Sequence, residues 1–368
     1  MPLVLPLVTR EQARARLGLL TRQHLLGHGL TDREIADAVR RGDLRRVRSG
    51  AYVSAADWAE VEATHRVPGL RALAVSGAVG GGSMPLASDT AAWVWALPRP
   101  ARRGGAPERV HLVNPAGPGA RGRDWVLRRA VVPPDEITRR GAYLVTTAAR
   151  TVVDVARTWR EVDAVAATDA ALLRGLTTLD ELRATLDRHR TVAGTPAARR
   201  VLELADGRAE SWLESCGRLA FAAGGLPPFV PQVEIWLDGE LLKVVDGWYP
   251  GAALAIEFDG RLKYLGATAT TRDLWEEKRV EDLLRSVGIR FVRVTYAMLV
   301  QGWSALRARV LRELAHPGPA SRVFGERPRM TGKVRGGVTP DDGWLWRTLD
   351  GVGGVQGPAG CSPAGGGR

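Results

Sequence analysis

The stretch Leu241-Leu-Lys-Val-Val-Asp-Gly-Trp-Tyr-Pro-Gly-Ala-Ala-Leu-Ala-Ile-Glu-Phe-Asp-Gly260 decides the reading of this chain. Leu241 to Asp246 reads as a strand and Trp248 to Gly251 as a turn. Ala253 to Asp259 is an apolar run of the kind a buried strand shows, closing in two carboxylates before Gly260. Upstream, Val230 to Leu237 alternates as a strand, and Asp238-Gly239 is a two-residue hairpin signal. A helix is expected over Arg208 to Ala222, with Glu210 and Glu214 four apart on one face. Downstream, Asp273 to Ser286 reads as a charged amphipathic helix and Ile289 to Val294 as a last strand, with Thr295 capping a short helix. The order is helix, three strands, helix, strand.

The acids in this stretch suggest chemistry. Glu257 and Asp259 are two apart on a strand and so share a face. Asp246 closes the preceding strand at a comparable height if the two pair as a hairpin. Carboxylates gathered on buried strands repel one another and are poorly solvated. A hard cation such as Mg²⁺ (or Mn²⁺) offsets that cost, and Mg²⁺ prefers one or two carboxylates with waters and substrate phosphate. Such an ion polarises a phosphodiester and acidifies a water, and a nearby Lys neutralises developing charge. The plain alternative is that acids before Gly sit in turns facing solvent.

The carrying residues are Glu214, Gln232, Asp246, Glu257-Phe-Asp259-Gly260, Lys263-Tyr264, Trp275-Glu-Glu-Lys-Arg279 and Gly288-Ile-Arg-Phe-Val-Arg-Val294. Together they resemble the restriction-endonuclease-like superfamily, PD-(D/E)XK, and most closely the small domain akin to very-short-patch-repair endonucleases. The resemblance covers about a quarter of the chain. It implies Asp246 and Glu257 as metal ligands and Glu214 as an accessory acid. Asp259 stands where the family carries its Lys, so the catalytic Lys is expected at Lys263 or Lys278. Lys243, three residues before Asp246, is expected on the opposite side of its strand. No His lies between His189 and His316, so the His-assisted mechanism of the repair enzymes is not available within this domain.

Working outward, residues 8–56 read as a winged helix-turn-helix. Glu11 to Leu20 is expected to be helical, with a second helix from Arg22 to Leu26. Thr31 and Glu34 have capping-box spacing ahead of Ile35 and Val39, and Gly42 ends that helix. Arg45-Arg-Val-Arg-Ser-Gly-Ala-Tyr-Val53 then alternates as a basic hairpin. This region looks like the N-terminal domain of the type IV (abortive-infection) antitoxins. Gly141 to Arg157 is similar to the region next after that domain in related proteins. The resemblance implies a DNA-binding repressor. Arg33, Arg40 and Arg41 on or beside the second helix, and Arg45, Arg46 and Arg48 on the wing, are the expected DNA contacts.

Residues 57–205 read as an α+β middle region with a Gly-rich loop at Val75 to Ser83. Strands are expected at Val110–Val113 and Trp125–Val132, and helices at Ala148–Thr158, Val162–Arg174 and Leu179–Arg188. No constellation of acids, His or Cys suggests chemistry there, so scaffolding or partner contact is its expected work. Residues 207–312 hold the nuclease-like core. Residues 316–368, rich in Gly, Pro and Arg, read as a disordered tail. The fold class is therefore a multidomain α+β or α/β protein.

The bulk composition agrees. At 368 residues two or three domains are expected, and a net charge of +12 favours a polyanionic partner, DNA above all. Nearly every cation is Arg; only Lys243, Lys263, Lys278 and Lys333 are Lys. Cys216 and Cys361 lie apart, without disulfide or zinc spacing. The short apolar start lacks the features of a signal peptide or membrane span, so a cytoplasmic protein without membrane contact is expected. The leading expectation is a DNA-binding, Mg²⁺-dependent endonuclease acting through metal-activated water. The alternative is a non-enzymatic, antitoxin-type transcriptional regulator with a degenerate nuclease fold and a toxin protein as partner.

Overall fold

The computed structural model describes residues 16–99, 108–259 and 271–329. It is a mixed α+β structure built from several small sheets, and it divides into two compact units. Within the described residues one unit holds 16–159 and 180–198, and the other holds 160–179 and 199–329. No helix among the described residues is long and apolar enough to cross a membrane.

The first unit begins with a strand, β1 (Leu20–Thr21), then helices α1 (Arg22–Gly27) and α2 (Asp32–Arg41), then the hairpin strands β2 (Leu44–Arg48) and β3 (Ala51–Ser54). The three strands form one sheet in the order β1-β3-β2. The capping box forms as expected: the Thr31 hydroxyl accepts the Glu34 N–H, and the Glu34 carboxylate accepts the Thr31 N–H at 2.7 Å. Gly42 closes α2 at φ 84°, a conformation that costs a residue without Cβ little. Leu20, Leu25, Ile35, Ala38 and Leu44 make its small core. The expected helix over Glu11 to Leu20 does not hold in its described part. Leu17 and Gly18 take positive φ, and Leu20 pairs with Tyr52 in the sheet.

The rest of this unit contains α3 (Ala55–Ala63), α4 (Val67–Gly80), α5 (Ser88–Val94), β4 (Val110–Asn114), β5 (Ala120–Arg121), β6 (Trp125–Arg129), β7 (Ile137–Arg140), β8 (Tyr143–Thr146), α6 (Ala148–Ala156) and, from further along the chain, α8 (Leu179–Arg188). α4 corrects an expectation. Val75 to Ser83 reads as a loop, yet the helix runs to Gly80 because Leu70, Leu73, Ala74 and Val75 are buried along it. Tertiary burial here outweighs the weak helix propensity of Gly. Gly69 is needed for closeness: a Cβ there would stand 2.1 Å from the Tyr143 hydroxyl.

The second unit is a five-stranded sheet flanked by helices. Its elements are α7 (Glu161–Leu173), α10 (Trp212–Ala223), β9 (Val230–Leu237), β10 (Glu240–Tyr249), β11 (Leu254–Phe258), α11 (Thr271–Ser286), β12 (Arg290–Val294), α12 (Tyr296–Val300), α13 (Trp303–Leu314) and β13 (Phe324–Pro328), with α9 (Thr195–Leu204) preceding α10. The sheet order is β12-β11-β10-β9-β13. Asp238 and Gly239 both take positive φ, as the tight β9–β10 hairpin requires. β11 and β12 are parallel, a pairing reached through α11. One face of the sheet packs Leu254, Ile256, Phe258, Val292 and Val294 against Leu213 and Phe221 of α10 and Leu306 and Val310 of α13. The other packs Val233, Ile235, Val245, Trp248, Ala255 and Phe291 against Leu284 of α11. Each large apolar side chain buried this way contributes about 1.5–3 kcal/mol.

Two expectations change here. β10 continues through Trp248 and Tyr249, where a turn is expected, because both side chains are buried, one on each face. The segment after His316 is not wholly outside the fold: β13 adds to the sheet edge, with Phe324 opposite Leu237 and Glu326 opposite Ile235. The Phe324 ring meets Trp248 edge-on at 6.0 Å, and the Trp248 indole N–H donates to Glu326 Oε2 at 2.8 Å. These contacts, the ladder with β9 and the Arg327–Glu234 ion pair at 2.7 Å hold a strand that composition alone assigns to a tail. Phe324→Ala is expected to destabilise this unit by about 3 kcal/mol in urea unfolding. An unchanged midpoint would show that β13 contributes nothing to the core.

Candidate functional site

The site is organised by the start of α10. The Ser211 hydroxyl accepts the Glu214 N–H at 3.2 Å, capping the helix and fixing Glu214 in its first turn. One turn on, the Ser215 hydroxyl donates to Asp169 of α7 at 2.7 Å, and Arg218 reaches the same carboxylate at 3.0 Å. Burial pushes Asp169 up to about 6, and the Arg218 charge works against that rise. Gly217 lets α10 close on β11: a Cβ there would stand 1.9 Å from the Phe258 ring. Glu210 is not on the helix face with Glu214, as expected from spacing, because the helix begins at Trp212. The Glu210 N–H instead donates to Glu214 Oε2 at 2.9 Å.

Below Glu214 the sheet kinks. Val230 and Val233 lie three apart yet join the same core cluster, as do Val245 and Trp248. A regular strand would place such residues on opposite faces. Both strands therefore turn over at Pro231–Gln232 and Asp246–Gly247, and Gln232 takes the strained φ of 51°. Gln232, next to Val233 on the α11 face, points to α10. Its amide donates to Glu214 Oε2 at 2.9 Å and more weakly to Asp246 Oδ1 at 3.4 Å. Glu214, Gln232 and Asp246 are all buried. Burial first, and then the Asp246 charge, push Glu214 from 4.5 up to about 7.

Asp246 also marks where the β10–β11 ladder opens. Gly247 is the last β10 residue paired, opposite Ile256, and beyond it the Asp246 carboxylate accepts the Phe258 N–H at 2.7 Å. A side chain thus takes a bond that a backbone carbonyl would otherwise accept. Asp246 and Glu257 are the next residues on each strand and flank this open end. Glu257 alternates away from Ile256 and Phe258, towards the layer of Ala255 and Phe291. There its Oε2 lies 3.4 Å from Lys243 Nζ.

The structure sorts the expected residues. Glu214 and Asp246 share the Gln232 amide, and Glu257 stands one residue beyond the last β10–β11 pair, beside Lys243. Asp259 follows β11, its N–H bonded to Val294 O at 2.9 Å. Lys278 is not brought to the site: it is exposed on α11 with its Nζ 5.9 Å from the Trp275 ring. Lys263 lies outside the described residues. Lys243, expected on the side of its strand away from Asp246, lies 3.4 Å from Glu257 on the neighbouring strand, a contact that parity along β10 could not show. Among the described residues no three His, Cys, Asp or Glu side chains are gathered as a metal-ligand set.

The basic face is less open than its composition suggests. Arg40 pairs with Asp37, Arg41 with Asp43 at 3.0 Å, and Arg48 with Asp124 at 3.6 Å. Arg45 stacks 3.8 Å above the Trp58 ring. Arg33 and Arg46 are exposed and make no ion pair among the described residues. In the region where no chemistry is expected, Glu136, Arg150 and His189 form a buried cluster. Arg150 Nη1 lies 2.6 Å from Glu136 Oε2, and His189 Nε2 lies 2.8 Å from Glu136 Oε1. Arg188 and Asp154 complete it. Its members satisfy one another, which fits a structural clamp tying α8 to α6.

No family model matches the chain. Two uncharacterised proteins of Mycobacterium tuberculosis, from strains CDC 1551 / Oshkosh and ATCC 25618 / H37Rv, are each 33% identical to it over 150 residues. That stretch is 40% of this chain and 54% of each relative, so the chain spans about half the length of the curated relatives it matches. A crystal structure of the RV2827C protein from the same species matches with a TM-score of 0.37 at 16% identity, over 53% of this chain and 75% of that one.

Glu214 yields a test of the buried acid pair. Its folded value lies above its ordinary one, so the folded state holds the proton longer, and stability is lost as pH rises from about 4.5 to about 7. Glu214→Gln does not titrate. Its melting temperature relative to wild type is therefore expected to rise by a few degrees (~3–8 °C) between pH 5 and pH 8. An equal difference at both pH values would mean that Glu214 is not held in its neutral form.

Proposed function

We propose that this chain binds DNA and hydrolyses its phosphodiester backbone at the end of the five-stranded sheet, as a Mg²⁺- or Mn²⁺-dependent endonuclease of the restriction-endonuclease-like kind. The observation that supports this reading is the register: Asp246 and Glu257 are the next residues beyond the last pair of the β10–β11 ladder, and Glu214 is buried beside Asp246. The donor set suits a hard divalent cation: two carboxylates on rigid strands, and a third acid whose repulsion with Asp246 a cation would relieve. Asp246 and Glu257 would hold the ion. Bound there, it would polarise the phosphate and lower the pKa of water.

The chain's own groups do the rest. The Phe258 N–H and the Gln232 amide hold the Asp246 carboxylate in place. Pairing with Arg293 of β12, and of the preceding Ile256 with Gly247 of β10, fixes the height of Glu257. Hydrolysis adds one water across a P–O bond. The water oxygen bonds to phosphorus, the ester oxygen leaves with the bonding pair and takes up a proton, and the water's surplus proton passes to solvent.

Residues 20–54, two helices followed by a hairpin, are read as a winged-helix reader, with Arg33 and Arg46 as its open phosphate contacts. A second reading, a non-enzymatic antitoxin-type repressor with a toxin protein as partner, is favoured by the exposure of Lys278, which leaves the site without that lysine.

With supercoiled plasmid and Mg²⁺ or Mn²⁺, wild type is expected to nick, and Asp246→Ala and Glu257→Ala to fall by about 100-fold or more. An inert wild type, or variants that cut as well as wild type, would remove the nuclease reading. For the reader, the Arg33→Ala/Arg46→Ala double variant should bind duplex DNA more weakly. Its log–log salt slope should be shallower by about 2. An unchanged slope would take both residues off the phosphates.

A further inference from the structure

We infer that Lys243 is the cationic group of the Asp246/Glu257 site, reaching across from β10 to serve where position 259 holds an acid; this rests on the metal-dependent reading above. Three independent observations carry it. First, its ammonium lies 3.4 Å from Glu257 Oε2. Second, the side chain is held in place: it is only 16% exposed, and its Nζ lies 5.9 Å from the Phe291 ring centroid. Third, Lys is scarce in a chain whose cations are nearly all Arg, and this one is kept where a compact ammonium fits against a carboxylate. Lys278, the other described candidate, is exposed on α11.

The geometry gives Lys243 a role distinct from propping up a strand. An ammonium has three N–H donors, and the Glu257 contact leaves capacity for a phosphate oxygen at the same place. Positive charge there offsets the negative charge that grows on the phosphoryl oxygens as water attacks. The same charge also repels a divalent ion bound by Glu257. Lys243 is therefore expected to assist cleavage while weakening metal affinity, and a strictly structural residue would not move those two quantities in opposite directions.

The test uses the full chain, with Mn²⁺ binding followed by calorimetry and plasmid nicking measured in parallel. Lys243→Met keeps the aliphatic stem against Phe291 and removes the charge; Lys243→Gln is the second neutral variant, used if Met lowers the melting temperature. The neutral variant is expected to nick about 100-fold more slowly. It should bind Mn²⁺ about threefold to tenfold more tightly. Lys243→Arg, which keeps the charge but not the compact ammonium, should fall between wild type and the neutral variant in both. Unchanged nicking would overturn the inference, and so would nicking and Mn²⁺ affinity falling together, which is the signature of a structural role. A wild type that neither binds Mn²⁺ nor nicks would instead remove the metal-dependent reading itself.

Discussion

Two carboxyl groups, Glu214 and Asp246, are buried beside one side-chain amide, that of Gln232, and the architecture around the sheet end is set by keeping them there. Burial of one ionised acid is costly, and burial of two close together costs more. The fold reduces that cost with fixed donors. Glu214 receives the Glu210 N–H and the Gln232 amide; Asp246 receives the Phe258 N–H and the weaker end of the same amide. The cost that remains shows as the rise of Glu214 to about 7.

Alternation from Val233 and Ile235, which face α11, puts Gln232 on the α10 side of β9, and the positive φ at Gln232 marks where that alternation breaks, so that Val230 returns to the Val233 face. Strain of this kind persists where surrounding structure over-determines it. Here the determinants are local: the paired turn-over of both strands, the close approach of α10 at Gly217, and the anchoring of α10 through Ser215 and Arg218 to Asp169. Asp163, also buried on α7, receives the Trp212 indole N–H at 3.3 Å and adds a second tie between the two helices.

Much of this was legible in the sequence, and the reasons for the remainder are specific. Elements bounded by local signals were readable: the Thr31/Glu34 box, the Gly42 stop, the Asp238-Gly239 hairpin and the Thr295 cap. Elements decided by distant burial were not. The end of α4 looks like a loop because Gly and Ser outnumber Val over Val75 to Ser83, until the tertiary core is known. β13 looks like a tail because Phe324 is one aromatic among Gly, Pro and Arg. Of the candidate site, the Glu214–Gln232–Asp246 contacts join residues that spacing and resemblance single out. The Lys243–Glu257 contact was not legible, since strand parity relates Lys243 to Asp246 but says nothing of Glu257 on the neighbouring strand. The Glu136–Arg150–His189 cluster joins residues more than fifty positions apart, beyond the reach of any local pattern.

The central claim is that the open end of the β10–β11 ladder is a divalent-cation site. Diffraction from crystals of the full chain soaked in Mn²⁺, with an anomalous difference map, tests it directly. The account predicts one strong peak within about 2.0–2.4 Å of oxygens from both Asp246 and Glu257. A well-ordered site with no peak, or a peak held by other residues, would contradict it.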